Sequence, residues 1–379
     1  MLRLQFSTPD GDFVGHVRIA RRNVEEGVLE GPHIVYHVIV NTLTLVIGDR
    51  TTAGLLVVLA AQVVLLPIIY GLLRPVMANT ARGALQTAVF TAGLVFVAPL
   101  ALPTLSENNF YFGYVVANAI HSPTTIVLKP FALGVLVVIL AGLSNRLRFT
   151  FLTWLGVTVL VTLCLFTKPN YMLSLLPALI LVVGYRFWRG EAANTKLIVS
   201  AVIVPTVLLL IAQYALGFSD AEAGIAVAPF SVVGHLTGYG VPQLILLFFP
   251  SILFPLLVVL YRWHTARRDV GLVVSWLAFL AGAVQMCFLS ETGVRQWNGN
   301  FWWCAQITLF VLFVYSAIFH LREATQNPRR LDKLITGVFG LHVLRKRLIH
   351  LQIGQNRQRP AVVALAPIRC IVEACGSQI

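Results

Sequence analysis

Residues 243–261 read QLILLFFPSILFPLLVVLY, and the seven that follow read RWHTARR. The first stretch carries no charge and matches the roughly 20 apolar residues that an α-helix needs to cross a bilayer's hydrocarbon core. Pro250 and Pro255 lie inside it. A membrane helix tolerates them, because neighbouring helices can satisfy the freed backbone groups. The second stretch brings Arg262, Arg267 and Arg268 to the edge of the apolar run. Such edges mark cytoplasmic loops, where Lys and Arg accumulate.

Working outward, the same pattern recurs at 53–73, 83–104, 129–144, 149–167, 171–187, 197–217, 270–289 and 302–320. With 243–261 these make nine candidate spans; 129–144 is short and 171–187 is near the lower limit. The reading is an all-α, polytopic helical membrane protein with about nine transmembrane helices plus membrane-surface helices. Two further apolar stretches are marginal: 33–47, interrupted by His33, His37 and Asn41, and 334–344, which runs into Arg345, Lys346 and Arg347. Three segments result: 1–52, an acidic loop with membrane-surface helices; 53–320, the transmembrane domain; and 321–379, a basic tail with a marginal helix at 334–351.

The composition agrees. Of 379 residues, 58% are hydrophobic and 11% charged, against about 25% charged in soluble domains. This excludes an ordinary soluble enzyme, a disordered chain and a nucleic-acid-binding domain. The net charge of +13 reflects topology. With loop 105–128 placed outside and alternation thereafter, five inside loops hold fourteen of the 28 cations, from Arg74 to Lys333; the outside loops hold Lys129, Lys168 and Arg295. That asymmetry orients the helices and implies a lipid bilayer, not nucleic acid, as partner. Of five cysteines, Cys164, Cys287 and Cys304 sit in or beside apolar runs, and none shows zinc-ligand spacing.

The outside loops are long and rich in aromatic and amide residues: SENNFYFGYVVANAIHSPTTIVLKP at 106–130, TKPNY at 167–171, FSDAEAGIAVAPFSVVGHLTGYGVPQ at 218–243 and SETGVRQWNGNFWW at 290–303. Flat apolar faces beside directional hydrogen-bonding groups suit a sugar or polar headgroup. A cation at the membrane surface suits phosphate or snorkels to lipid headgroups; three isolated on the disfavoured side point to a shared anionic ligand. His121 sits in a turn entering the next helix, His235 is a weaker candidate, and Glu291 is four residues from Arg295, the spacing of a helical ion pair.

The N-terminal stretch PDGDFVGH places Asp10, Asp12 and His16 together, ahead of an amphipathic helix of roughly 13–30; GPHIVYH adds His33 and His37. Asp-x-Asp can hold a divalent metal, but a D-G-D turn or helix N-cap is the commoner use, and no cofactor or metal is favoured. The remaining reading is a carboxylate base acting on a sugar hydroxyl. It requires 1–52 to lie on the side of the outside loops. Arg18, Arg21 and Arg22 favour the other side, with 33–47 as a short span; the length and polarity of 33–47 favour a surface helix.

The pattern Asp10-Gly11-Asp12, His16, Pro32-His33, Tyr36-His37 resembles the polyprenyl-phosphate-sugar-dependent glycosyltransferases of the GT-C fold. Later pieces are similar to bacterial GT-C-like membrane proteins: Asn109-Phe110-Tyr111-Phe112-Gly113, His121-Ser122-Pro123-Thr124-Thr125, Lys129-Pro130-Phe131, Lys168-Pro169-Asn170, Glu291-Thr292-Gly293-Val294-Arg295 and Gly299-Asn300-Phe301. Each motif is short; their shared order and face carry the resemblance, over about residues 10–320. It implies an extracytoplasmic active face in a bacterial inner membrane and a polyprenyl-phosphate-linked sugar as partner. It also implies Asp12 as catalytic base with Asp10 as the alternative. His16, His33, His121, Lys129, Lys168, Glu291, Arg295 and Asn300 would contact phosphate or sugar. The usual first membrane helix is expected to be missing ahead of the acidic loop, and the pattern is lost after about residue 345. The alternative is a transporter or flippase for a lipid-linked or anionic substrate.

Overall fold

A computed structural model describes residues 11–28, 31–100, 113–119, 121–191, 193–218 and 224–356, with side chains to 344. The protein is an all-α, multi-pass membrane protein. Among the described residues seven helices are long and apolar enough to cross a bilayer. We number the helices α1 (Asp12–Glu25), α2 (Ile34–Ile47), α3 (Arg50–Leu73), α4 (Ala81–Phe96), α5 (Pro123–Leu143), α6 (Phe151–Thr167), α7 (Asn170–Trp188), α8 (Thr195–Gly217), α9 (Ser231–Thr237), α10 (Val241–Tyr261), α11 (Val270–Phe288), α12 (Trp302–Gln326) and α13 (Asp332–Asn356). The seven long helices are α3, which the chain prolongs to Val76, and α5, α7, α8, α10, α11 and α12. Local chemistry sets their starts: Asp49, Thr150 and Asp269 accept the backbone N–H of Thr52, Thr153 and Leu272, occupying donors that have no helical partner.

Helix α12 is the central post. Its 18-residue apolar window is 89% buried, and at 1.5 Å per residue its 25 residues run about 37 Å, the full depth of a bilayer. Gly282 lets α11 lie against it: a Cβ there would fall 2.7 Å from the Cys304 carbonyl. Small residues at such contacts are how membrane helices approach closely.

Several elements depart from the sequence reading. The segment 83–104 is not one continuous helix. Helix α4 ends at Phe96, and Val97 leaves the helical range (ψ 139°), just ahead of Pro99, which disfavours helical backbone at Ala98 and cannot continue the helix. Residues 97–100 then run through the protein interior: Ala98 N–H donates to the His342 carbonyl (3.0 Å), His342 Nδ1 donates to the Ala98 carbonyl (2.7 Å), and Leu100 N–H donates to the Pro250 carbonyl (3.1 Å). Non-helical backbone at membrane depth is stable only with partners of this kind. Residues 101–104 lie outside the described residues. Helix α5 begins at Pro123, six residues before 129–144: Lys129 and Pro130, read as a boundary, are inside the helix. Helix α6, at 17 residues, stands at the lower limit for a span, and α2, at 14, falls short of one.

Among the described residues the packing runs across positions 52 and 320. Phe13, Tyr36 and Val40 from α1 and α2 share a core with Val57, Ile126 and Val127 from α3 and α5. At the other end of the chain, α13 turns back into the bundle. Ile335, Phe339 and His342 are buried, and Phe339 stacks on Phe90 at 4.8 Å. The described residues up to Val343 form one compact unit. The broken end of α4 accounts for this: it leaves backbone groups that an inserted helix can partner. The one departure from all-α structure among the described residues is a two-stranded antiparallel ladder, Ile225–Val227 with Leu289–Glu291.

Candidate functional site

Lys168 caps the C-terminus of α6, where Pro169 forces the chain to turn before α7. Its side chain goes inward and is 4% exposed. Nζ donates to Ser122 Oγ and Thr124 Oγ1, both at 3.3 Å, and sits 4.0 Å over the Trp303 ring. Among the described residues no carboxylate lies within ion-pair distance. Burial lowers the lysine to about 8, opposed by the charge of Asp12. A buried cation without a counter-charge is expensive, and the ring face recovers only part of that cost.

Asp12 comes within electrostatic range of this lysine because of how the N-terminal helices pack. Helix α1 buries Phe13, His16, Ala20 and Asn23 along one stripe. Gly27 and Gly31, at φ of +65° and +78°, take left-handed conformations that favour glycine and return the chain to α2. Helix α2 buries Tyr36, His37 and Val40 against that stripe. Asp12 Oδ1 lies 3.5 Å from His16 Nε2, and His16 Nδ1 lies 3.1 Å from His37 Nε2. The His33 ring meets His16 edge-on at 5.1 Å, and its Nδ1 donates to the Thr167 carbonyl, next to Lys168. Asp12 Oδ2 is buried and has no partner among the described residues. Asp12 stands in the first turn of α1, after Gly11 in the cap position, so its side chain is not the N-cap.

The three imidazoles are held neutral. Burial drives His16 and His37 down to about 4, with Asp12 opposing at His16 and the His16 charge adding at His37. His33 lies well below its ordinary value through burial first and the Lys168 charge second. His121 is exposed and tilts against the shared Trp303, centroids 5.4 Å apart. Asp12, His16, His33, His37, His121, Lys168 and Trp303 therefore gather at one end of the bundle.

Asn170 links this centre to a second one. Its Nδ2 donates to the Asn300 carbonyl (2.7 Å), and Asn300 Nδ2 donates to Glu291 Oε2 (2.6 Å). Glu291, buried at the end of the short ladder, is raised by burial, which Asn300 and Arg295 partly offset. The helical pairing read for Glu291 and Arg295 does not form, because the one stands in a strand and the other in a 3-10 turn. The Arg295 guanidinium is exposed and lies 5.7 Å over Phe218. His235 stacks on Trp297 at 3.9 Å.

Lys129 stands apart. It is buried, donates to Asn118 Oδ1, and lies 4.7 Å over Phe310. Asn118 Nδ2 in turn donates to the Leu94 and Val97 carbonyls at the broken end of α4. The lysine thus supports an amide cap at a helix C-terminus, where cations are favoured. Phe310 follows Trp303 by seven residues, which puts Lys129 about 10 Å deeper than Lys168.

Asp10 lies outside the described residues. Among the described residues no three His, Cys, Asp or Glu side chains are grouped to hold a metal ion. Sequence reasoning quoted Ser122, Thr124, Asn170 and Trp303 within motifs without assigning them a role here; their only signal was nearness to a proline turn or an aromatic pair. No protein-family model, no curated protein and no solved structure matches this chain.

Proposed function

We propose that this chain is an integral membrane glycosyltransferase that transfers a sugar from a polyprenyl-phosphate donor to an extracytoplasmic acceptor, as the GT-C resemblance implies. One observation carries the reading: Lys168 is buried within electrostatic range of Asp12 and without an ion pair. The cation takes the donor phosphate, which supplies the missing counter-charge. Trp303 and His121 offer an aromatic face and an exposed imidazole to the sugar. Asp12 is the base that takes the acceptor proton as the anomeric carbon is attacked and polyprenyl phosphate leaves. A base of this kind contributes about 10²–10⁴-fold. The second centre, Glu291, Arg295 and Asn300, serves as an acceptor or headgroup contact. Lys129, with its structural partners, is left out of the donor site.

A second reading, a flippase for a lipid-linked anion, is favoured by one feature. Helix α4 breaks at Phe96 and α13 inserts beside the break, and discontinuous helices are a transporter trait. A panel of radiolabelled polyprenyl-phosphate sugars, offered to the full chain in proteoliposomes, separates the two. Release of polyprenyl phosphate means transfer. Movement of intact donor between leaflets without release means flipping and overturns the proposal.

A further inference from the structure

The His16–His37 contact joins two ring nitrogens at 3.1 Å, and with both rings neutral one proton must lie between them. There are two ways to place it. In the first, the proton is on His16 Nδ1. His16 Nε2 then presents a lone pair to the Asp12 carboxylate 3.5 Å away, and His37 carries its proton on Nδ1, which is buried with no partner. That arrangement sets lone pair against carboxylate and orphans a buried N–H, a rare and costly state. In the second, the proton is on His37 Nε2. His16 Nδ1 accepts it, His16 Nε2–H points at Asp12 Oδ1, and the atom left over is the bare His37 Nδ1. The second arrangement wins at both ends of the chain.

We infer that Asp12, His16 and His37 form one directional chain, with His37 donating to His16 and His16 Nε2–H facing Asp12 Oδ1 across a 3.5 Å electrostatic contact, that holds Asp12 by Oδ1 and leaves Oδ2 as the basic oxygen. This rests on the reading of Asp12 as base. His16 and His37 are positioning residues: they touch no substrate and fix which carboxylate oxygen is occupied. His33 does not compete, since its Nδ1–H is committed to the Thr167 carbonyl. The unpartnered, buried Asp12 Oδ2 is the other end of the same arrangement. In the reaction, the Oδ2 lone pair takes the acceptor hydroxyl's proton, and the hydroxyl oxygen bonds to the anomeric carbon. The bond from that carbon to the phosphate oxygen breaks, its electron pair leaving on polyprenyl phosphate. No proton travels along the imidazoles.

The test is long-range ¹H–¹⁵N NMR of the full chain in nanodiscs, labelled at histidine, alongside donor turnover. In the unmodified chain His16 and His37 should both carry the proton on Nε2. His37→Phe removes the donor to His16 Nδ1. Asp12 still favours Nε2–H on His16, so the tautomer should hold while the His16 Nδ1 resonance loses its hydrogen-bond shift, and kcat should fall about 10–100-fold, the range for groups that orient a ligand from behind, with KM for the donor unchanged. His37→Gln restores an N–H donor and should return the Nδ1 shift with most of the turnover. If His37→Phe does not fold, the unmodified chain and His37→Gln decide the matter. His16 protonated on Nδ1 in the unmodified chain, or a His16 Nδ1 resonance indifferent to His37→Phe, overturns the inference whether or not the chain transfers sugar. Nε2 protons in place with no release of polyprenyl phosphate from any donor overturn the glycosyltransferase reading and, with it, the basic role of Oδ2.

Discussion

Arg262 and Lys168 are both buried cations at opposite ends of the helix bundle, yet their surroundings differ in kind. Arg262 Nη2 donates to both Asp332 carboxylate oxygens, at 2.9 and 2.8 Å, and to the Asn327 carbonyl, with Glu323 3.9 Å from Nη1. Nearby, Arg322 pairs with Asp269 at 2.6 Å, and Asp269 also caps α11. At that end each of these charges meets an opposite charge, and the chain turns tightly around them. Lys168 has two hydroxyls, a ring face, neutral imidazoles and one carboxylate beyond pairing distance. The first end has its charges paired; the second is short of negative charge where an anionic ligand would supply it.

The contrast yields predictions of graded size. Asp12→Asn should lower sugar transfer by at least about 10²-fold, the range for loss of a general base, with donor binding retained; turnover of radiolabelled donor measures it. Arg262→Ala should destabilise the fold by about 3–5 kcal/mol, because it strands Asp332 and Glu323; unfolding in detergent reads it directly. Lys168→Met should do the reverse, weakening polyprenyl-phosphate binding about 10–100-fold as a charge-assisted contact is lost while leaving stability equal or higher, since it removes an unpaired buried charge. A smaller, pH-dependent signature follows from Lys168, which titrates near 8 in the folded chain against 10.5 ordinarily. Between those values the unfolded chain holds the extra proton, so the unliganded protein gains stability as pH rises. Anion binding should fall over the same interval as the folded lysine loses its charge. Both slopes should vanish in Lys168→Met, as thermal unfolding and binding titrations from pH 7 to 10 would show.

Much of the all-α framework was legible in the chain, because an apolar run such as 243–261 has one stable fate in a bilayer. The gathering of outside-loop cations, amides and rings was legible in part, through the shared side that the charge asymmetry implies. What was not legible depended on distant partners. Apolarity continues through Leu102, so only the prolines at 99 and 103 hinted that α4 stops at Phe96. The insertion of 332–343 depends on backbone groups at Ala98, more than two hundred residues away in sequence. Lys129 and Lys168 both sit beside a proline in the sequence; only Asn118, tied to the end of α4, distinguishes a structural lysine from one that awaits a ligand. The direction of the Asp12–His16–His37 chain depends on two atoms no sequence pattern marks, the unpartnered His37 Nδ1 and the Asp12 Oδ1 facing His16 Nε2.

The most direct measurement is the split between donor affinity and turnover for Lys168→Met and Asp12→Asn in proteoliposomes holding the full chain. Lys168→Met is expected to raise the donor KM at least tenfold, and Asp12→Asn to lower release of polyprenyl phosphate at least about 10²-fold with donor binding intact. Unchanged donor affinity in the first together with full turnover in the second would contradict an anion-accepting transfer site at this end of the bundle.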